Sequence, residues 1–330
     1  MLALSDFYYN LPKELIAQYP LKERAQARLL VIDRKTGAIK HSVFKNFCDY
    51  LRPDDLLVLN DTKVLPARLI GSRASGGKIE VLILSKDEGL AFSCLIKPNR
   101  IKLGEKIIFN SGKICAELIA KNKINFFAKD INQIYSHGVM PLPPYIKRKA
   151  QEQDNQDYQT VYAKNDGSIA CPTAGLHFTS ELLTDIKSRG ANIAYVTLHI
   201  SYSTFKPVKV EDITKHKMEP EYFKIPQEPA RLIKEARARS LRIIAVGTTS
   251  LRVLETYALG SQEGYTDLFI YPGYKFKMAD CLLTNFHLPR TTLFMLACAF
   301  AGEELLKKAY QEAIDQKYRF YSYGDAMLIV

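Results

Sequence analysis

The sequence predicts an α/β protein: a layered α/β domain interrupted by a small inserted antiparallel β-barrel. Three observations carry that expectation. Apolar runs that suit buried strands occupy both ends of the chain, with helix-like stretches in the second part. Between Ala67 and Phe127 the texture changes to short β-type runs separated by turn residues, with little room for helices. From about Asp166 the mixed pattern returns. The simplest organisation is a discontinuous α/β catalytic unit, residues 1–64 and 152–330, split by a barrel over residues 65–151.

Taken in order, residues 29–32 form a short strand ended by the turn signal Lys35-Thr36-Gly37. Residues 55–61 are an apolar run bounded by polar residues, as a buried strand requires. The barrel strands are expected at 78–84, 92–96, 106–109, 114–119 and 124–128. Their turns fall at Ser75-Gly76-Gly77, Asp87-Glu88-Gly89 and Asn110-Ser111-Gly112. Met140-Pro141-Leu142-Pro143-Pro144-Tyr145 stiffens the exit, and the polar residues 151–158 read as a linker. Thr179 is placed to cap a helix with Leu182, Leu183 and Ile186 on one face and Gly190 as its stop. Further strands are expected at 193–200, 241–246, 268–270 and 282–283. A basic helix is expected at 229–240, and one or two helices within 293–316.

Composition bounds the function. Hydrophobic residues make up 47% of the 330, which suits a globular chain and argues against disorder. The longest apolar run, residues 293–301, is far too short to cross a bilayer. The start Met1-Leu2-Ala3-Leu4-Ser5-Asp6 lacks a basic segment followed by an apolar core, so no signal peptide is expected. The six cysteines are scattered without a CxxC, the usage of reduced thiols in the cytoplasm. A net charge of +11 favours a polyanionic partner.

Four segments share one form, a buried strand running out into a loop rich in Gly, Thr, Asn or His. They are Asn60-Asp61-Thr62-Lys63, Pro172-Thr173-Ala174-Gly175-Leu176-His177-Phe178-Thr179, Gly247-Thr248-Thr249-Ser250-Leu251-Arg252 and Thr284-Asn285-Phe286-His287-Leu288-Pro289. In open α/β sheets ligands bind beyond the carboxyl ends of the strands, so the four together predict a shared pocket. Gly247 suits close backbone approach at a helix N-terminus. His177, flanked by Gly175 and Thr179, is placed to move protons. His177, His199 and His287 have no metal-typical spacing, and no metal ligand is expected. GxGxxG, GxxxxGK[ST] and HExxH are all absent. The residues alone thus reach a two-domain enzyme with a composite pocket and a mildly basic surface. A metal-dependent hydrolase using the three histidines and an RNA-binding module built on the barrel stay open beside it.

The order of these segments resembles the S-adenosylmethionine:tRNA ribosyltransferase-isomerase family of queuosine biosynthesis. The resemblance begins at Ser5-Asp6-Phe7-Tyr8-Tyr9-Asn10-Leu11-Pro12. It runs through Asn60-Asp61-Thr62-Lys63-Val64-Leu65-Pro66-Ala67-Arg68 and the Met140 to Tyr145 segment, and closes on Tyr321-Ser322-Tyr323-Gly324-Asp325-Ala326-Met327. It implies transfer and isomerisation of the ribosyl part of S-adenosylmethionine onto the aminomethyl group of 7-aminomethyl-7-deazaguanine at the tRNA wobble position. Epoxyqueuosine would form, with release of adenine and methionine. S-adenosylmethionine is then a consumed co-substrate with no true cofactor beside it. The partner is a tRNA with a GUN anticodon, and the protein a cytoplasmic monomer without membrane attachment.

Several residues depart from the family pattern: Cys171 for the usual alanine, Ser201 and Ser203 for two glycines, and Lys63 and Lys206 for arginines. A loop that needs positive φ would be strained by the serines. Motif membership and chemical fit together give the expected roles. His177, then His287, would take the acidic ribose 5′ proton beside the sulfonium, and Asp61 or Asp325 the proton of the tRNA amine. Phe178, Phe205 and Tyr323 would face the sulfonium. Thr173, Gly175, Thr248, Thr249 and Asn285 would hold adenine and ribose hydroxyls, with Gly247 and Arg252 also at the substrate.

Overall fold

The computed structural model describes residues 2–205 and 207–330, apart from the side chains of Ser203 and Phe205. At its centre lies Leu56–Asn60, a strand with all five residues buried. The strands Asn192–Leu198 and Ile243–Val246 flank it in parallel, Leu56 standing opposite Asn192 on one side and Ile243 on the other. Cys281–Asn285 adds in parallel beyond Ile243–Val246, and the antiparallel Ala326–Ile329 follows. Arg28–Ile32 and Ile39–Val43 complete one edge of a nine-stranded mixed sheet, and Glu221–Lys224 and Glu263–Thr266 the other.

Period-two alternation divides the sheet's side chains between two cores. Leu30, Ile32, Leu56 and Val58 point into a layer with Ile233, Leu251, Leu254, Phe294 and Leu306. Leu29, Val31, Leu57 and Leu59 point into the opposite layer with Phe44, Phe47, Phe178 and Ile186. Helices therefore cover both faces, the layered arrangement that the parallel centre of the sheet needs. Ser180–Ser188 is capped as expected, Thr179 Oγ1 accepting from the Leu182 amide at 3.2 Å. The long C-terminal apolar stretch makes two helices, Thr292–Ala301 and Glu303–Asp315, divided at Gly302 with φ 88°.

The inserted segment is a closed antiparallel barrel of six strands. They are Arg68–Arg73, Lys78–Lys86, Ala91–Lys97, Lys106–Phe109, Ile114–Ala120 and Lys123–Phe127. Leu69, Ile79, Val81, Phe92, Ile107, Phe109, Ile124 and Phe126 fill its interior. The first strand carries little alternation, with only Leu69 buried, which is why the sequence did not delimit it.

Elsewhere the outcome differs from expectation. Residues 268–270 are not a strand; the sheet edge lies just before them at Glu263–Thr266, whose largely exposed residues give no apolar run. Ile39–Val43 and Glu221–Lys224 were likewise unmarked, both being short strands near the sheet edges. The polar residues 151–158 carry a short helix, Asp154–Asp157, and bury Asp154 and Tyr158.

Candidate active site at the carboxyl edge of the sheet

A pocket of about 730 Å³ opens where the parallel strands end. Three of the four strand-end segments meet there: Thr173 follows Pro172, Gly247 to Thr249 follow Ile243–Val246, and Asn285 ends Cys281–Asn285 with His287 just beyond it. Gly247 starts an eleven-residue helix at φ +89°, a conformation that glycine adopts without strain. No side chain caps that helix, so its first amides remain available at the pocket.

Asn285 is the most informative residue of the wall. Its Nδ2 lies 3.2 Å from His177 Nε2, 3.2 Å from the Tyr321 carbonyl and 3.4 Å from the Asp325 carbonyl. These acceptors fix the amide orientation. They leave Oδ1, buried and without a partner among the described residues, on a side chain that lines the pocket. A ligand donor would satisfy it.

His287 lines the same pocket, its Nε2 2.8 Å from Thr284 Oγ1. Its backbone is pinned from both sides: the amide donates to Tyr310 Oη at 2.9 Å and the carbonyl accepts from Tyr9 Oη. Burial pushes the imidazole down to about 3, so the ring is neutral near pH 7. His177 is neutral for the same reason, also lowered to about 3, with the Arg319 and Arg24 charges adding to burial. It lies behind Asn285, 5.0 Å from the Phe44 ring, and faces a separate cavity of about 410 Å³. The mouth-of-strand position expected for His177 thus belongs to His287.

Arg252 also lines the pocket, but its guanidinium is occupied. It pairs with the buried Glu221 and donates to the carbonyls of Leu268 at 3.1 Å and Thr266 at 3.2 Å. Glu221 in turn accepts from the Ser201 amide at 2.7 Å and from Thr204 Oγ1 at 3.1 Å. The ion pair therefore tethers the loop that brings Thr204 to the pocket. Ser201 lies outside the left-handed region, so this loop position does not require the glycine.

Other expected residues do not reach the pocket. Gly175 is there for packing: a Cβ would stand 2.1 Å from Tyr162 Oη and 2.8 Å from Thr160 Cγ2. Phe178 is wholly buried, edge-on to Phe44 and Phe47 at 5.1 and 5.7 Å. The Asp61 carboxylate is held by Thr197 Oγ1 at 2.7 Å and by Asn165 Nδ2 at 3.0 Å. Asp325 accepts from the Arg28 and Arg319 amides at 2.9 and 2.8 Å. Tyr323 donates to Asp154 at 3.1 Å and lines the smaller cavity beside His177. The Phe205 side chain and Lys206 lie outside the described residues. Lys63 forms an exposed pair with Asp166 at 3.2 Å, and Cys171 lines the pocket.

The histidines do not converge. His199 bonds Thr62 at 2.8 Å, apart from His177 and His287, and no group of three metal-capable side chains forms among the described residues. Sequence reasoning missed Tyr145, Thr204, Met218, Tyr321 and Ser322 as pocket residues. Tyr145 Oη and Ser322 Oγ, 177 positions apart, share a 2.5 Å hydrogen bond. Both belong to segments already singled out, which was the only signal available for them.

A pocket with a helix N-terminus, an orphan amide oxygen and a neutral histidine at the carboxyl edge of a sheet defines an α/β enzyme for a small polar ligand. Comparison with known proteins narrows that class. The family described as "Queuosine biosynthesis protein" matches residues 4–329. The S-adenosylmethionine:tRNA ribosyltransferase-isomerase of Caldanaerobacter subterraneus subsp. tengcongensis is 52% identical over 340 aligned positions, covering 99% of both chains. The protein of the same name from a Sulfurihydrogenibium species is 52% identical over 335, again covering 99% of both. The crystal structure of S-adenosylmethionine tRNA ribosyltransferase from Thermotoga maritima is similar at 37% identity and a TM-score of 0.58, covering 98% of this chain and all of that one. The chain belongs to the queuosine biosynthesis family of ribosyltransferase-isomerase enzymes.

Proposed function

We propose that the protein transfers the ribosyl moiety of S-adenosylmethionine to the aminomethyl group of 7-aminomethyl-7-deazaguanine at the wobble position of a GUN-anticodon tRNA, and isomerises it there. Adenine and methionine leave, and epoxyqueuosine-tRNA forms. One observation carries the reading: three segments that the family resemblance marks, far apart in sequence, converge on one pocket. S-adenosylmethionine serves as co-substrate, no further cofactor is needed, and the protein acts as a cytoplasmic monomer. The unit of residues 1–64 and 152–330 carries the pocket apart from Tyr145, while residues 65–151 form the inserted barrel unit with its own core.

Within the pocket, the roles follow from position. Asn285 Oδ1 accepts from a ligand hydroxyl or amine, as its lack of an internal partner favours. The helix N-terminus at Gly247, Thr248 and Thr249 suits the co-substrate's carboxylate or hydroxyls. His287 takes the ribose 5′ proton that the adjacent sulfonium acidifies. It replaces His177, the first expectation, because His287 lines the pocket whereas His177 faces the separate cavity behind Asn285. His177 orients Asn285, and Arg252 with Glu221 positions the Thr204 loop. The test is adenine release from S-adenosylmethionine: it should require tRNA bearing the aminomethyl-deazaguanine. Release that is equal without that tRNA, or methylated tRNA as product, would defeat the reading.

A further inference from the structure

Next to the pocket runs a second, larger concavity, an open groove of about 1470 Å³ between the outer wall of the barrel and the segment that leaves it. Its floor is apolar, with Ile70 and Val139 exposed at 43% and 38%. Six cations line it, Arg68, Lys78, Lys97, Lys147, Arg148 and Lys149, against one carboxylate, Glu80. The arginines are already committed. Arg68 pairs with Glu80 at 2.7 Å, and Arg148 is locked by Asp154 at 2.6 Å and lies 4.4 Å over the Tyr19 ring. The four lysines make no ion pair among the described residues, and all are exposed.

Two chain segments join groove and pocket. Pro144 and Ile146 line the groove while Tyr145 between them lines the pocket, and Tyr202 lines the groove between Ile200 and Thr204 of the pocket. The run 147–149 is held in place, since the Lys147 amide donates to Gln18 Oε1 at 2.7 Å and Arg148 Nε to the Gln18 carbonyl at 2.9 Å. Lys147 and Lys149 therefore stand on an anchored rim that shares a wall with the pocket.

We propose that this groove receives the RNA strand flanking the wobble nucleotide, with Lys78, Lys97, Lys147 and Lys149 on its phosphates. The inference rests on the functional reading above and adds that the barrel supplies part of the docking surface. Unpaired cations fit a polyphosphate backbone, and an exposed apolar floor ended by Tyr202 fits sugars and bases, which an acidic polypeptide would not need.

The test uses the full-length protein with Lys78, Lys97, Lys147 and Lys149 all changed to Ala. A control variant changes Lys113, Lys187, Lys234 and Lys308, exposed lysines outside the groove, so both lose the same charge. Anisotropy of a labelled anticodon stem-loop with guanine at the wobble position gives affinity against salt. The groove variant should bind at least about tenfold more weakly near 0.15 M salt and lose about three from its log–log salt slope, at up to about 0.7–0.9 per phosphate contact. The control should change far less, and S-adenosylmethionine affinity by calorimetry should hold in both. Equal losses in the two variants would overturn the groove while leaving the functional reading intact. Wild-type protein that binds no stem-loop yet releases adenine on tRNA bearing the aminomethyl-deazaguanine would overturn the groove alone, and no release on that tRNA would defeat the functional reading. Displacement by polyglutamate as effective as by unlabelled stem-loop would replace RNA with an acidic polypeptide.

Discussion

Acid should unmask the two buried histidines. Burial holds His177 and His287 at about 3, against an ordinary value of 6.5. Unfolding returns both rings to water, where they bind protons near 6.5. Between pH 6.5 and 3 the unfolded chain therefore carries more protons than the folded one. Their contribution to stability is present in full above 6.5 and is lost as pH falls towards 3. Each ring gives a slope of about 1.4 kcal/mol per pH unit in that window. Moving from pH 7.5 to 5.0 crosses about 1.5 units of it, so each ring costs about 2 kcal/mol and the pair about 4. His177→Gln offers Asn285 Nδ2 an acceptor in place of the ring nitrogen but does not titrate. Urea denaturation of wild type and variant at both pH values reads the difference, in which carboxylate titration cancels. Wild type should lose about 2 kcal/mol more than the variant. Equal losses would mean that His177 titrates near 6.5 in the folded chain, and would refute its burial behind Asn285.

His287→Gln should lower turnover by about a hundredfold or more while S-adenosylmethionine affinity stays within several-fold, measured by steady-state rates and calorimetry. Glu221→Gln leaves the buried Arg252 charge without its counter-charge. It should cost about 3–5 kcal/mol in denaturation, and, because the Gln NH2 turned towards the guanidinium displaces the side chain that holds Ser201 and Thr204, raise the KM for S-adenosylmethionine. Gly175→Ala forces a Cβ against Tyr162 Oη and should cost about 1–3 kcal/mol, part of which Tyr162→Phe in the same chain should restore.

Much of the fold was legible where burial is one-sided or complete. Leu56–Asn60 announces itself as an apolar run because both its faces are covered, and the barrel's alternation follows from a wall with one wet side. Glu263–Thr266 was illegible because an edge strand needs few apolar residues. Gly247 to Thr249 and Asn285 line the pocket at the strand ends, where the strand-to-loop pattern pointed. Gly175, Phe178 and Asp61 lie outside the pocket wall, since a motif keeps residues for packing as well as for ligands, and only tertiary neighbours such as Tyr162, Phe44 and Thr197 tell them apart. Tyr145 and Ser322 meet across 177 positions, a proximity that no local pattern encodes.

The central claim is that a ribosyl group, and not a methyl group, reaches the tRNA. It is tested most directly by two parallel reactions with S-adenosylmethionine labelled in the ribose carbons or in the methyl carbon, on tRNA bearing the aminomethyl-deazaguanine. The account predicts that ribose label enters tRNA in step with adenine release while methyl label stays with methionine. Methyl label in the tRNA, or adenine release without ribose label in the tRNA, would contradict it.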